Sequence, residues 1–322
     1  MTLMKTVIIG AGLTGLVLGK RLSQLFSSSR HSTVELFDKS RGVGGRMATR
    51  RADGGLKFDH GAQFYSKQDS LASIHQEWEL AELTQFWFNR REKEHFYAPA
   101  GITSLAKNLA QGLAIGFEKT LNSVGQDSKK NFTPLWQLKF ECGDVVNCDR
   151  LILTAPLPQN LAILKRSGIE YDRSLEKIVY SKAVVALVEL AQPSHELSGD
   201  FGYLEFTEGP IFSIADQMRK GLSPTPAMTI TLKPAVSDAL FDEPDETVTA
   251  FLRLELAKID PTAVLKSILV KKWRYSHPES VHAALFSEVA PSLYFAGDAF
   301  GGASLAGAAR SANALAKHLR EL

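Results

Sequence analysis

The residues best suited to chemistry lie near the start of the chain, where Gly10-Ala11-Gly12-Leu13-Thr14-Gly15 forms G-x-G-x-x-G. That spacing suits a pyrophosphate. Gly10 permits a tight turn, Gly12 lets the backbone approach phosphate oxygens, and Gly15 lets a following helix pack closely on the preceding strand. Asp38, 23 positions after Gly15, offers acceptors for ribose hydroxyls if it ends a second strand. Glu35 competes for this role but falls inside that strand. Beyond them, Gly44-Gly45-Arg46 implies backbone folded against a ligand, with a guanidinium placed to share charge with phosphate oxygens. Lys39 and Met47, which flank this run, are read with it as cofactor contacts.

The elements that must position these residues are legible. Lys5 to Ile9 is an apolar, β-branched run of the kind found in buried parallel strands. Leu13 to Phe26 carries apolar residues at helical spacing, and the polar break Ser27 to Ser32 ends it. Thr33 to Phe37 is the second strand. Strand, glycine turn, helix, strand and acid therefore come in the order of a dinucleotide-binding βαβ unit.

Composition narrows the classes. With 44% apolar and 22% charged residues, the chain has ordinary globular composition and enough length to bury a sizeable core. A formal charge of +2 and scattered basic pairs argue against a nucleic-acid partner. Cys142 and Cys148 flank a hairpin turn at Gly143-Asp144 without C-x-x-C spacing, so no metal site or disulfide framework is indicated and two reduced thiols are expected. The short apolar start reads as a strand and not a signal peptide, and no stretch is long enough to span a bilayer. A cytoplasmic protein with no membrane association is the expectation.

Asp38 and Gly44-Gly45-Arg46, at this spacing after the glycine turn, resemble the signature of the FAD-dependent superfamily of monoamine oxidases, phytoene desaturases, protoporphyrinogen oxidases and renalases. Phe58-Asp59-His60-Gly61-Ala62-Gln63-Phe64-Tyr65 is similar to the stretch that carries this family's chain past the isoalloxazine ring. The residue types fit: Gly61 and Ala62 allow close approach to a flat ring, Gln63 can hydrogen-bond its edge, and Phe64 and Tyr65 can wall a cavity. His60 is read as structural. The resemblance also implies that Val124 contacts adenine and that Ala155, in Asp149 to Pro156, lies near the cofactor. Near the end, Gly297-Asp298 follows a strand, and Ser304, Leu305 and Ala308 open a small-residue helix to about Leu319. In such flavoproteins the Asp meets ribityl or pyrophosphate. A hydroxyl partner is preferred for Asp298, because an anion beside phosphate is unfavourable. The helix N-terminus would stabilise negative charge on reduced flavin.

The implied fold is α/β: a Rossmann-like FAD-binding domain with a three-layer parallel sheet, and an inserted substrate domain of antiparallel sheet flanked by helices. The expected boundaries are 1–64, 99–160 and 283–322 for the first and 65–98 and 161–282 for the second. Helices are read over Ser70–Leu83, Ser104–Gly112 and Thr247–Lys258, strands over Ile178–Leu190, Ile211–Ala215, Met228–Leu232 and Ser267–Tyr275, and Asn122–Thr133 as a mobile loop. Trp273, Arg274 and His277 line the substrate cavity in one reading, alongside Gln63 and Tyr65; a core Trp with solvated neighbours is the equal alternative.

FAD is expected to be noncovalent, with no metal and no certain catalytic side chain. No second glycine fingerprint is present for a separate pyridine nucleotide domain. The Gly297-Asp298-Ala299-Phe300 run and the chain length resemble renalases most, which implies hydride transfer from a small-molecule substrate, a dihydro isomer of NAD(P)H, to flavin N5, with O₂ as acceptor. An amine oxidase or desaturase-type enzyme with a small hydrophobic substrate, and a non-catalytic FAD-binding redox protein, are the alternatives.

Overall fold

The computed structural model describes residues 4–26, 32–127 and 135–321. Its central sheet has six strands in the order Ser287–Ala290, Leu293–Phe295, Arg150–Leu153, β1 (Met4–Ile9), β2 (Ser32–Phe37) and Ala114–Gly116. β1 pairs in parallel with both neighbours, Ile8 facing Leu36 on one side and Ile152 on the other. Only the edge strand Ser287–Ala290 runs antiparallel.

Alternation along β1 explains its unbroken apolar run. Ile8 packs on one face with Leu16, Leu18, Leu36 and Leu315, which belong to the sheet and to helices α1 (Leu13–Phe26) and Leu305–Glu321. Val7 and Ile9 point to the opposite face, where they meet Trp136, Leu138 and Leu164. Both sides of the strand are therefore dry, as a sheet between two layers requires. Truncating a residue such as Ile8 to Ala would cost about 2–5 kcal/mol.

A second sheet, Leu121–Asp127, Leu135–Phe140 and Val145–Cys148, lies on this far layer. It corrects one expectation: residues 122–127 are strand, because Val124 pairs with Leu138 in the core, and 128–133 lie outside the described residues. So do 27–31, most of the polar break after α1.

The remaining large sheet is antiparallel, in the order Tyr203–Glu205, Ile211–Asp216, Ala227–Leu232, Tyr180–Leu190 and Leu265–Pro278. Helices Pro234–Leu240 and Asp245–Ile259 cover one face through Phe241, Val248, Leu252 and Leu256. Asp245 and Glu246 form the first turn of the second of these helices, which starts two residues before the expected Thr247, and their charge suits the helix dipole. The other face, with Ala183, Val185 and Leu187, packs on Leu56 and Phe58 and so meets the strand Lys57–Asp59. A small sheet of Tyr65–Ser66, Lys93–Tyr97 and Gln85–Arg90 carries the helix Ala72–Leu80.

Candidate cofactor and substrate site

The glycine turn opens at the carboxyl end of β1 and enters α1 at Leu13, whose first-turn N–H groups have no intrahelical acceptors. Its glycines do different things. Gly10 has φ +109°, and a Cβ there would lie 2.6 Å from Thr154 Oγ1. A Cβ on Gly15 would lie 1.9 Å from the carbonyl oxygen of Gly10, so α1 docks on the turn only with hydrogen at that position. A Cβ on Gly12 would meet no protein atom within 4 Å. Gly12 thus fronts open space beside a helix N-terminus, a cradle that fits a pyrophosphate.

Asp38 follows β2, as the spacing requires. Its carboxylate accepts from Ala11 N at 2.6 Å and from Ser40 N at 2.7 Å, and each oxygen keeps lone-pair capacity for a hydroxyl. Glu35 instead pairs with Lys5 at 2.6 Å, away from the turn. The Gly44-Gly45 loop lies directly on the turn. Gly44 N donates to Ala11 O at 2.9 Å, and a Cβ on Gly45 would come 3.5 Å from Gly12 Cα. Met47 is buried and closes this loop through its N–H to Gly44 O, whereas Lys39 is exposed, 3.4 Å from Gln159 Oε1.

Residues from both ends of the chain converge here. Thr14 Oγ1 donates to Ala308 O at 3.4 Å, and Arg46 Nη1 reaches Asp298 Oδ2 at 2.5 Å and Ser276 O at 2.8 Å. Tyr180 donates its hydroxyl to Asp298 Oδ1 at 2.8 Å. Burial works against the Arg46 cation, but the adjacent Asp298 carboxylate outweighs it and holds the guanidinium above its ordinary value. Burial and then Asp298 push the Tyr180 phenol up, so it stays protonated and donates. Gly297 (φ +151°) donates its N–H to Ser311 Oγ, and Asp298 begins a helical turn, Asp298–Gly301. Ser304 caps the last helix, accepting from Gly307 N at 2.9 Å, with Leu305 as its first residue. Ala155 sits beside Gly10, its backbone N 3.5 Å from where a Gly10 Cβ would be.

The stretch after Lys57–Asp59 sits against this assembly. Ala62 N donates to Arg46 O, and a Cβ on Gly61 would fall 1.8 Å from that oxygen, so only glycine lets the turn close. Gln63 donates to Asp59 O at 2.6 Å and accepts from Gln217 Nε2 at 3.0 Å, which fixes its amide. The indole of Trp273 donates to His60 O at 2.8 Å and stacks on the His60 ring, centroids 5.4 Å apart and planes 23° from parallel. Burial lowers the His60 pKa to about 4, so its ring is neutral near pH 7. His60 Nδ1 is buried with no hydrogen-bond partner, an orphan that a bound group would satisfy. His277 lies 3.1 Å from Ser181 Oγ, and burial, then Arg46, lowers its pKa.

Several sequence assignments change. Tyr65 is not in a cavity: it is buried in the core, with its hydroxyl between His75 and Thr84 at 2.9 Å each. Arg274 lies over Phe241 at 5.0 Å, on the helix-covered side of its sheet and so opposite Trp273. Phe64 turns from the cofactor loop into an aromatic group of Trp87, Phe88, His95 and Tyr203. Val124 is buried with Leu138 and gives its N–H to Ser167 Oγ; the backbone that runs beside Asp38 is Glu118 to Lys119, whose N–H groups donate to Ser40 O and Asp38 O. Sequence reasoning missed Thr154, Tyr180, Gln217 and Lys220. Thr154 had a signal, since it precedes the expected Ala155, but Tyr180 comes to the site only through strand pairing, and Lys220 only through the turn between Ile211–Asp216 and Ala227–Leu232, where its ammonium meets Asp59.

Among the described residues no helix is long and apolar enough to cross a membrane. Residues 8–78 match the family model of an NAD(P)-binding Rossmann-like domain, and residues 79–319 match that of flavin containing amine oxidoreductases. A solved structure titled "Putative protoporphyrinogen oxidase" from Exiguobacterium sp. 255-15 superposes with a TM-score of 0.78 at 14% identity, covering 100% of this chain and 99% of that one. The glycine cradle, the acid after β2 and the union of both chain ends are what an extended dinucleotide cofactor needs, and with the matched models they identify this chain as a member of the flavin-containing amine oxidoreductase family, an FAD-dependent oxidoreductase.

Proposed function

We propose that this protein is a renalase-like oxidase, which takes hydride from dihydro isomers of NAD(P)H and passes the electrons to O₂. The observation that carries this reading is the His60–Trp273 stack at the Gly61-Ala62 turn. It is a neutral aromatic surface of the kind on which a flat dihydropyridine ring can lie. FAD, when bound, supplies the two-electron acceptor.

The chain's own residues bind and orient. The helix α1 N-terminus and Arg46 offer positive partners for the pyrophosphate, Asp38 acceptors for ribose, and Asp298, held by Tyr180, an acceptor for a ribityl hydroxyl. Trp273 locks the His60 backbone, and Gln217 locks Gln63, so the face beside the turn is preorganised. Loss of hydride turns a dihydropyridine into a pyridinium without a proton leaving nitrogen. A protein base is then unnecessary, and none is offered: burial leaves the His60 ring only weakly basic, and the Gln63 amide is already engaged.

A second reading, oxidation of an amine or desaturation of a small hydrophobic substrate, draws on the family match and on Tyr180 and Tyr275, whose rings stand 6.0 Å apart and nearly perpendicular. The two separate by anaerobic mixing of the holoprotein with 2- or 6-dihydro-NAD and, in parallel, with amines. Bleaching of the flavin absorbance by a dihydro isomer is expected. Bleaching by amines alone, or by neither, would overturn the proposal.

A further inference from the structure

Lys220 is fully buried, and its ammonium sits where no solvent reaches. It donates to Asp59 Oδ2 at 2.6 Å and to the backbone oxygen of Gln63 at 2.6 Å, and it lies 5.0 Å from the centre of the Trp87 ring. Burying a lysine is costly unless every donor is satisfied, and here a carboxylate, a carbonyl and an aromatic face divide the work. Burial lowers its pKa while Asp59 opposes that fall.

The carboxylate is equally committed. Asp59 Oδ1 accepts from Thr49 Oγ1 at 2.6 Å and from Ile102 N at 2.9 Å. The same short segment is tied at its backbone: Asp59 N donates to Gln217 Oε1, and Asp59 O accepts from Gln63 Nε2 and Thr229 Oγ1. Gln217, Lys220 and Thr229 come from the antiparallel sheet and the turn between two of its strands; Asp59 and Gln63 bracket the turn that packs on Arg46. The network therefore ties the antiparallel sheet to the Gly61–Gln63 turn, which packs on Arg46. Fully buried and with its ammonium engaged by Asp59 and Gln63, Lys220 acts through these partners.

We propose that Lys220 is a positioning residue: with Asp59 it clamps the Gly61–Gln63 turn from the side of the antiparallel sheet and so sets how closely that turn approaches the bound flavin ring. The proposal rests on FAD binding and not on the choice of substrate. Its test uses the purified holoprotein, wild type and Lys220→Met, compared by visible absorbance and circular dichroism of the bound flavin and by its reduction midpoint potential, then by anaerobic bleaching with 6-dihydro-NAD. A loosened turn is expected to move the flavin band and the potential and to slow bleaching by about tenfold to a hundredfold, with a smaller change in the concentration dependence. Because Lys220→Met leaves an unpaired buried carboxylate, Asp59→Asn/Lys220→Met is made beside it; with no charge stranded, this pair is expected to fold and still show the displaced flavin spectrum. A folded single or double variant whose flavin spectrum and potential match wild type would overturn the proposal. The spectral arm stands even if 6-dihydro-NAD fails to bleach wild type, which would count against the substrate reading alone.

Discussion

Replacing Gly12 and Gly15 one at a time separates what the glycine turn does for folding from what it does for binding. At Gly15 an added methyl would lie 1.9 Å from Gly10 O and 3.0 Å from Gly10 C, far inside contact distance and against backbone that cannot rotate away. Helix α1 would have to lift from the sheet, and overpacking of this kind costs about 1–3 kcal/mol or more. At Gly12 the methyl meets no protein atom within 4 Å, so Gly12→Ala should leave apoprotein stability within about 0.5 kcal/mol of wild type. The space it enters is the space assigned to phosphate oxygens. Displacing them costs a charge-assisted hydrogen bond of about 1.5–3 kcal/mol, hence FAD affinity by roughly tenfold to a hundredfold. Urea unfolding of apoprotein gives the first quantity, and flavin fluorescence on titration with FAD gives the second. If Gly12→Ala binds FAD as wild type does, or if it destabilises the apoprotein as much as Gly15→Ala, the assignment of that cradle is wrong.

Two further outcomes follow from titration and burial. His60 has a folded pKa of about 4 against about 6.5 unfolded, so its contribution to stability is present above pH 6.5 and lost as pH falls toward 4, where the unfolded chain takes up a proton that the folded one refuses. Between pH 7 and 5 the loss is about 2 kcal/mol by linkage, and urea midpoints of wild type and His60→Asn should converge by that order as the medium is acidified; parallel curves would refute the burial of a neutral ring. Cys148 is buried, with its thiol pushed up to about 12 by burial, whereas Cys142 is exposed. A thiol reagent should therefore modify one cysteine in native protein and two in denaturant, and two fast thiols in native protein would contradict this packing.

Much of the cofactor half was legible because its determinants are local. A βαβ unit writes itself as period, turn and acid within forty residues, and the expected α1 range, Leu13 to Phe26, matches the structure because helix and sheet packing agree with the pattern. The glycines at 10, 15 and 61 are required by backbone oxygens and side chains a few ångströms away, so residue type alone signalled them. Errors arose where a side chain's direction depends on a distant partner. Phe64 and Tyr65 are adjacent, yet one joins the aromatic group of the small sheet and the other the core, a matter of strand pairing with Lys93–Tyr97. Arg274 is separated from Trp273 by the pleat of a strand whose covered face could not be known beforehand.

The amino-acid order by itself determined that a nucleotide cradle exists, that an acid stands beside it, and that both chain ends have the residue types to share one cofactor. Tertiary structure alone decided which polar groups complete the site. Tyr180 meets Asp298 across 118 positions and Lys220 meets Asp59 across 161, and contacts of that span are fixed by sheet register and layer packing, which no local spacing encodes.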